Sequence, residues 1–536
     1  MPRQVAISSR GKLEQAALWL AEAARLERTI DLQLVTKGHL RVLDRTCNIE
    51  DISWEEYHRP PLWAYHLHYF DDALPLALAA RRGDRRAYEA LKRWVLGWIR
   101  RCRPGRGPGW EPYPVSQRLA NWAQLDLLLS QGGGDPEFLE LLRTSAVQQA
   151  NYLAANIEYH LLANHLLKNA KALYLAALAW PAAREATSWL TRARSILREQ
   201  IPEQILRDGG HFERSPMYHA VILQDLVEMN VFSRAAGEPE VAPIQMLRSM
   251  ADFHASMQQP DGTRARFNDT AEGLVADAAR VEALYSAFDA DWTPPQGRLV
   301  EFPDSGYYGY CDVDRGEAFL IDAGKPGPEY QPAHAHCDLL SFEFYTHGRP
   351  WIVNAGVHGY ADDPYRAYAR STRAHNTLML AGREQSEIWG TFRMARQARV
   401  VEVRSGFDGE GRWKCQASYT PYFDRRINHQ RQVERRGFGE WLVTDRVSGI
   451  SGAGLEGALH FHPSVQVDVD DGRLICQRDN ERLVVEGVNL RPWRLSRGQL
   501  APISGWFFPV FGVAKPCTTV RYELKGAEGR IWLRLV

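Results

Sequence analysis

Histidines in the second half of the chain occur in a pattern that could bind a metal ion. His334, His336 and Asp338 are alternate residues, and in an extended segment such side chains point to the same side. Imidazole nitrogens and carboxylate oxygens are ligands of divalent metals such as zinc. Together with His375 and an oxygen ligand from Asp338 or Asn354, these residues could make a metal site.

A second polar cluster lies in a segment with the periodicity of a helix. Asn164, Lys168 and Lys171 follow i, i+4, i+7 spacing and would share one helix face, while His165 would lie above Asn169. Two amides, two ammonium groups and an imidazole in so short a segment could bind an anionic ligand. The alternative interpretation is an ordinary polar helix face in water.

Tyr218 is predicted to lie in the first turn of a helix. Ser215 followed by Pro216 is typical of a helix N-cap with proline at the first helical position. The positive end of the helix dipole and a nearby cation such as Arg214 would favour the phenolate form of this tyrosine. The alternative is a structural tyrosine in an ordinary loop.

The elements that must position these residues fall into two parts. The first ~290 residues show helical periodicity with short connections, which predicts a stack or ring of antiparallel helical hairpins. From Gly306 onward, short segments rich in β-branched and aromatic residues alternate with turn signals, which predicts antiparallel sheets packed face to face. We therefore expect a helical domain over residues 1–295 and an antiparallel β-sandwich domain over residues 300–536.

Composition excludes several classes of protein. Lys plus Arg and Asp plus Glu are both 65, so no net charge favours binding to nucleic acid or to an anionic membrane. The seven cysteines lack CxxC spacing and their number is odd, which argues against a disulfide framework. No signal-peptide-like or membrane-spanning apolar run is present, so a cytoplasmic location is the default expectation. Oligomeric state is left open.

Four of these segments, in this order, resemble the heparinase II/III and alginate-lyase group of polysaccharide lyases. The similarity covers roughly residues 55–400 and also includes segments 63–70 and 110–118. The motifs are Asn164-His165, Gly209-Gly210-His211-Phe212 with Tyr218, His334-Ala335-His336-Cys337-Asp338 with Ser341-Phe342, and Arg370-Ser371-Thr372 with His375-Asn376. The resemblance implies an N-terminal (α/α) toroid followed by a C-terminal antiparallel β-sandwich.

The resemblance also implies an activity, namely β-elimination at a uronic acid of an acidic polysaccharide or oligosaccharide. This reaction needs a neutralised carboxylate, a base for the C5 proton and an acid for the departing O4. By resemblance, Asn164 binds the carboxylate, His165 and His334 lie beside the reacting carbon, and Tyr218 is the base, the acid or both. Tyrosine can fill both roles only if elimination is syn; otherwise a histidine would be the base.

The implied metal ligands are His336, Asn354 and His375, where the family has aspartate at the second position. Because an amide is a poorer ligand than a carboxylate, we expect weak or partial binding of one divalent metal such as zinc, and Asp338 could substitute. We further expect a local positive patch that binds the anionic substrate. The candidate substrate-binding residues are Arg118, Arg214, Tyr368, Arg370 and Arg373.

Two other functions remain open from the sequence. A glycoside hydrolase on a helical toroid would need a pair of carboxylates, for which the candidates are Asp208, Glu213, Asp261 and Asp269. A glycan-binding or glycan-assembly protein could keep the fold without the reaction. The absence of an export signal and the amide at Asn354 favour this second alternative, whereas the joint presence of Asn164, His165, Tyr218 and His334 argues against it.

Overall fold

A computed structural model describes residues 2–24, 31–43, 45–56, 61–130, 134–450 and 454–536. The chain forms two compact units. The helical unit comprises Met1–Ile205, Val221–Arg248 and Ala279–Thr293, and the β-rich unit comprises Leu206–Ala220, Ser249–Ala278 and Pro294–Val536. The β-rich unit thus includes two segments that precede the predicted boundary at 295–300. The predicted domain bounds stay a prediction.

Helices dominate the first half of the described chain, as expected from the periodicity, and one short helix follows in the second half. They are α1 Pro2–Ala23, α2 Leu32–Thr36, α3 Pro61–Leu67, α4 Ala73–Arg81, α5 Arg85–Arg101, α6 Pro112–Ser130, α7 Pro136–Ala155, α8 Ala163–Ala179, α9 Ala186–Gln204, α10 Pro216–Ala236, α11 Ile244–Ser256, α12 Ala278–Phe288 and α13 Pro364–Arg370. None of these helices is both long and apolar enough to cross a bilayer.

The helices differ in how much of their surface is buried, as α5 and α8 illustrate. In α5, Asp84 caps the first turn by accepting hydrogen bonds from the N–H groups of Arg86 and Ala87, and one face is buried. By contrast, α8 is buried on every side except at His165. An all-round buried helix belongs to the interior of a large domain. The interpretation of this segment as a polar face in water is therefore wrong.

Strands dominate the second half of the described chain, and one short two-stranded pair lies in the first half. They are β1 His39–Val42, β2 Arg45–Asn48, β3 Leu299–Phe302, β4 Tyr307–Asp312, β5 Glu317–Asp322, β6 Phe342–Thr346, β7 Arg349–Ile352, β8 Leu378–Leu380, β9 Ile388–Gly390, β10 Arg393–Met394, β11 Arg399–Phe407, β12 Trp413–Thr420, β13 Asn428–Gly437, β14 Glu440–Ser448, β15 Leu455–His460, β16 Gln466–Asp470, β17 Arg473–Arg478, β18 Glu481–Val488, β19 Arg494–Arg497, β20 Gln499–Leu500, β21 Ile503–Ser504, β22 Trp506–Phe507, β23 Lys515–Pro516, β24 Thr518–Glu523 and β25 Glu528–Leu535.

The β-rich unit is built from antiparallel sheets packed face to face. An eight-stranded sheet has the order β11-β12-β13-β14-β25-β18-β17-β16, a five-stranded sheet β3-β4-β5-β6-β7 and a four-stranded sheet β19-β24-β15-β8. Aromatic side chains from different sheets meet in one core, where Phe319 of β5 stacks on Trp441 of β14 with ring centroids 4.6 Å apart. The predicted order of a helical part followed by antiparallel sheets is confirmed.

Candidate active site

The start of α10 positions Tyr218, as the Ser-Pro signal predicts. The hydroxyl oxygen of Ser215 accepts a hydrogen bond from the N–H of Tyr218 at 3.2 Å and donates one to the backbone carbonyl of Asp269 at 2.6 Å. One side chain therefore caps the helix and ties it to the loop that carries Asp269.

Tyr218 lies directly against His334. Their rings stack with centroids 3.9 Å apart, and the Tyr218 hydroxyl is 3.3 Å from that of Tyr360. Burial, and then the neighbouring Tyr360 and Asp269, raise the pKa of Tyr218 well above its ordinary value. The expectation of a phenolate is therefore wrong, because desolvation and nearby negative charge outweigh the helix dipole.

A buried carboxylate, Asp269, organises the imidazoles of this site. It accepts hydrogen bonds from His334 Nδ1 at 2.9 Å and from His336 Nε2 at 2.8 Å, and it forms a bidentate ion pair with Arg366. Burial alone would raise the pKa of Asp269, but Arg366 and the histidine hydrogen bonds hold it well below its ordinary value. Because the ionised Asp269 accepts from Nδ1, the neutral form of His334 carries its lone pair on Nε2.

His336, Asp338 and His375 form a group that could hold a metal ion. All three are buried, and one ligand atom of each lies within 4.8 Å of the others. His336 Nδ1 has no hydrogen-bond partner, whereas its Nε2 faces Asp269. His375 Nε2 faces the carbonyl of Ala369 at 3.0 Å. Metal-binding histidines are oriented in this way by acceptors on the far nitrogen, so the residues fit a divalent ion.

Asn354 lies beside this group. Its Oδ1 is 3.1 Å from His375 Nδ1 and accepts a hydrogen bond from the Ser341 hydroxyl at 2.5 Å. His336 and His375 themselves converge, with ring centroids 5.5 Å apart. The carboxylate in the group is Asp338, the residue that the sequence offered as a substitute for the missing aspartate.

In the helical unit, Asn164 and His165 lie together in the first turn of α8. Asn164 is buried, whereas the His165 side chain is 34% exposed. His165 Nδ1 is 3.1 Å from Glu158 Oε1, and Asn169 donates a hydrogen bond to the other oxygen of Glu158 at 2.9 Å. Glu158 therefore orients His165 as Asp269 orients His334. Glu158 precedes α8 in the chain and belongs to none of the sequence motifs, so the sequence did not indicate this role.

The two lysines of α8 are neutralised by the protein itself. Lys168 contacts Asp225 at 2.8 Å, and Lys171 contacts Asp225 and Glu228, each at 2.6 Å. All four side chains are buried. Because the carboxylates of α10 already compensate both ammonium groups, this cluster does not favour an anionic ligand at the lysines.

Most of the predicted substrate-binding side chains are buried and bonded within the protein. The three guanidinium nitrogens of Arg118 donate to Gln149 and to the carbonyls of His68 and Gly109. Arg214 donates to the carbonyls of Asp304 and Ser305. Such contacts favour structural roles for these two arginines, and their substrate contact stays a prediction.

The remaining three predicted substrate-binding residues lie close together in the chain. Tyr368 is buried, and Arg370 is buried with its guanidinium on the carbonyls of Ala335 and Gly390. Arg373 is partly exposed. Substrate contact by these residues also stays a prediction.

Comparison with known families matches both halves of the chain. Residues 28–289 match the model described as heparinase II/III N-terminus, and residues 294–531 match that described as heparinase II/III-like, C-terminal. The chain belongs to the heparinase II/III family. The predicted classification as a polysaccharide lyase of this type, a carbon–oxygen lyase, is confirmed.

Curated relatives are similar over much of the chain. A heparin-sulfate lyase of Pedobacter heparinus is 24% identical over 476 residues, which cover 82% of this chain and 69% of the relative. A heparin-sulfate lyase of Bacteroides thetaiotaomicron is 24% identical over 406 residues, covering 67% of this chain but only 58% of the relative's length.

Solved structures share the fold. A heparinase III structure superposes with a TM-score of 0.77 at 18% identity, covering 97% of this chain and 85% of the other. A mutant heparan sulfate lyase from Pedobacter heparinus gives a TM-score of 0.65 at 21% identity, with 96% and 87% covered. The predicted fold class, an (α/α) toroid followed by an antiparallel β-sandwich, is confirmed.

Proposed function

We propose that this protein cleaves a uronic-acid-containing glycosaminoglycan of the heparan sulfate type by β-elimination. The observation that carries the proposal is the stacking of the protonated phenol of Tyr218 on His334, whose Nδ1 faces the ionised, buried Asp269. This arrangement supplies an acid and a base side by side. The curated relatives are heparin-sulfate lyases by name, which supports this substrate class.

A candidate residue can be assigned to each step of the reaction. By the family resemblance, Asn164 is the candidate to bind the uronate carboxylate, which would stabilise the charge that develops as the C5 proton leaves. His334 Nε2 takes that proton, the C4–C5 double bond forms and the C4–O4 bond breaks. The Tyr218 hydroxyl protonates O4. Return of the proton from His334 to Tyr218 restores the resting state.

The stacking of the two rings has a stereochemical consequence. Because Tyr218 and His334 are neighbours, base and acid approach the bound sugar from one side, and elimination is syn. For a uronate with the opposite configuration at C5, His165 is the candidate base by the family resemblance, and its Nδ1 faces Glu158.

We propose that His336, Asp338 and His375 hold a divalent ion, of which zinc suits two imidazoles and a carboxylate. When bound, the ion supplies a buried positive charge that holds these three side chains in place. Asp269 hydrogen-bonds both His336 and His334. The ligand group and the proposed base are therefore positioned through one shared carboxylate.

Three of the four carboxylates considered for a glycoside hydrolase, all except Glu213, have contacts that argue against such a role. Asp208 accepts hydrogen bonds from the N–H groups of Gly210 and Ser305, and Asp261 caps a turn at Thr263. Asp269 has a lowered pKa and an arginine partner, so it is unsuited to act as a general acid. These contacts favour elimination over hydrolysis.

The test is incubation with a panel of purified heparan sulfate, heparin, chondroitin sulfate and alginate. We expect the absorbance of the unsaturated 4,5 product to appear with heparan sulfate, and a Tyr218→Phe variant to lose it. Absence of unsaturated product from every uronate of the panel, with the protein folded, would overturn the proposal. Binding without turnover would favour the glycan-binding alternative instead.

A further inference from the structure

An exposed aromatic hairpin lies beside Tyr218 and His334. Strands β9 and β10 pair through Gly390 and Arg393 around a two-residue turn of Thr391 and Phe392. Trp389 on this hairpin is 66% exposed and Phe392 is 37% exposed, whereas the tryptophans of the sandwich core are fully buried. Aromatic faces that remain in solvent are available to stack on a sugar ring.

The hairpin is fixed to the candidate active site by buried arginines. Arg366, which pairs with Asp269, also donates hydrogen bonds to the carbonyl of Thr391 at 3.0 and 2.7 Å. Arg370 donates to the carbonyl of Gly390. Both arginines are 1% exposed. The backbone of the hairpin is therefore held by the same ion pair that positions His334.

The side chains at the tip extend this connection to the reacting groups. The Phe392 ring meets His334 edge to face with centroids 6.1 Å apart, and it lies 5.3 Å from the Tyr360 ring. Trp389 lies three residues before Phe392. The guanidinium of the exposed Arg393 is 6.0 Å from the centroid of the Trp389 ring. An apolar indole face with a cation beside it complements a sugar ring that bears a carboxylate or sulfate.

We infer that this hairpin is a sugar-binding subsite, in which Trp389 stacks on a pyranose ring close to the cleaved bond and Arg393 binds that sugar's anionic group. The inference rests on the proposed function for the identity of the ligand, an acidic oligosaccharide. Phe392, on the same hairpin, contacts His334 with its ring. The subsite thus sets which sugar can occupy the position next to the reacting uronate.

The first experiment compares Trp389→Ala with wild type in steady-state kinetics on heparan sulfate oligosaccharides, followed by ultraviolet absorbance. We expect KM to rise roughly three- to tenfold, the range for loss of one aromatic stacking contact, with kcat within about twofold. The matched control is Phe407→Ala, which removes a 50% exposed aromatic residue from the β11–β12 hairpin of the same unit. Unchanged KM in Trp389→Ala with an active wild type would overturn the subsite.

A second experiment keeps the inference testable without turnover. Calorimetry measures the Kd of the same oligosaccharides for Tyr218→Phe and for Tyr218→Phe/Trp389→Ala, with Arg393→Ala as a further variant. We expect the two subsite changes to weaken binding, and Arg393→Ala to reduce its salt dependence. If the wild type were inactive but the variants showed these losses of affinity, the proposed elimination would be contradicted and the proposed subsite would be supported. Equal Kd values would contradict the subsite. If Trp389→Ala lost self-association but still bound the oligosaccharides normally, the exposed tryptophan would be a contact between copies of the chain, which would also contradict the subsite.

Discussion

Replacement of Asp269 by asparagine should separate positioning of the base from simple stability. The change keeps the side-chain volume but removes the charge that accepts from His334, His336 and Arg366. The asparagine amide must turn an N–H toward one of these donors, and His334 loses the partner that fixes its proton on Nδ1. We expect kcat to fall by ~10²–10⁴, the range for loss of an oriented general base.

The chain offers a matched control for this substitution, namely Asp445→Asn. Asp445 is also buried between an arginine and a histidine, accepting from Arg431 at 2.8 and 2.9 Å and from His429 at 2.8 Å. Breaking either buried pair should lower the free energy of unfolding by about 3–5 kcal/mol. Only Asp269→Asn should reduce kcat strongly.

The assays are denaturant unfolding and initial rates of ultraviolet-absorbing product formation at saturating heparan sulfate. Similar losses of stability with a selective loss of kcat in Asp269→Asn would support the reasoning. If the two variants lost kcat equally, or if Asp269→Asn kept it within about threefold, Asp269 would not position the base.

Four further outcomes follow from the same geometry. Tyr218→Phe should lower kcat by ~10²–10⁴ with oligosaccharide Kd within about twofold, because it removes only the transferable proton; normal kcat would exclude the tyrosine. Since the pKa of Tyr218 is raised, an ultraviolet difference titration of wild type against Tyr218→Phe should show no phenolate from this residue below roughly pH 10; an extra phenolate near neutral pH would contradict this. Asp338→Asn should reduce the retained divalent metal, measured by elemental analysis, more than tenfold and more than Asn354→Ala does; the reverse order would make Asn354 the ligand. Lys171→Met should lower the free energy of unfolding by about 3–5 kcal/mol, because Asp225 and Glu228 lose a buried partner; a change below ~1 kcal/mol in chemical denaturation would show that the cluster is solvated.

Local signals predicted a large share of the fold and part of the candidate site. The Ser215-Pro216 pair marks the start of α10 and therefore places Tyr218, because caps depend on neighbouring residues only. The spacing of His336 and His375 within recognisable motifs anticipated their convergence. The alternation from helical to β periodicity anticipated the order of the two architectures.

What the sequence did not predict depends on contacts between distant segments. Asp269 precedes His334 by 65 residues and Arg366 by 97, and no local pattern marks such an ion pair. The i, i+4, i+7 spacing placed Lys168 and Lys171 on one face correctly, but their burial comes from partners on α10. The ionisation of Tyr218 was predicted wrongly because burial is a tertiary property.

The central claim is that the protein cleaves by elimination rather than by hydrolysis. It is tested most directly by measuring whether oxygen from the solvent enters the products. Heparan sulfate is digested in water labelled with heavy oxygen, and the products are examined by mass spectrometry and ultraviolet absorbance. Elimination predicts unsaturated ends that absorb and carry no solvent oxygen, produced by wild type but not by Tyr218→Phe. Saturated products that contain one labelled oxygen per cleavage would show hydrolysis and contradict the account.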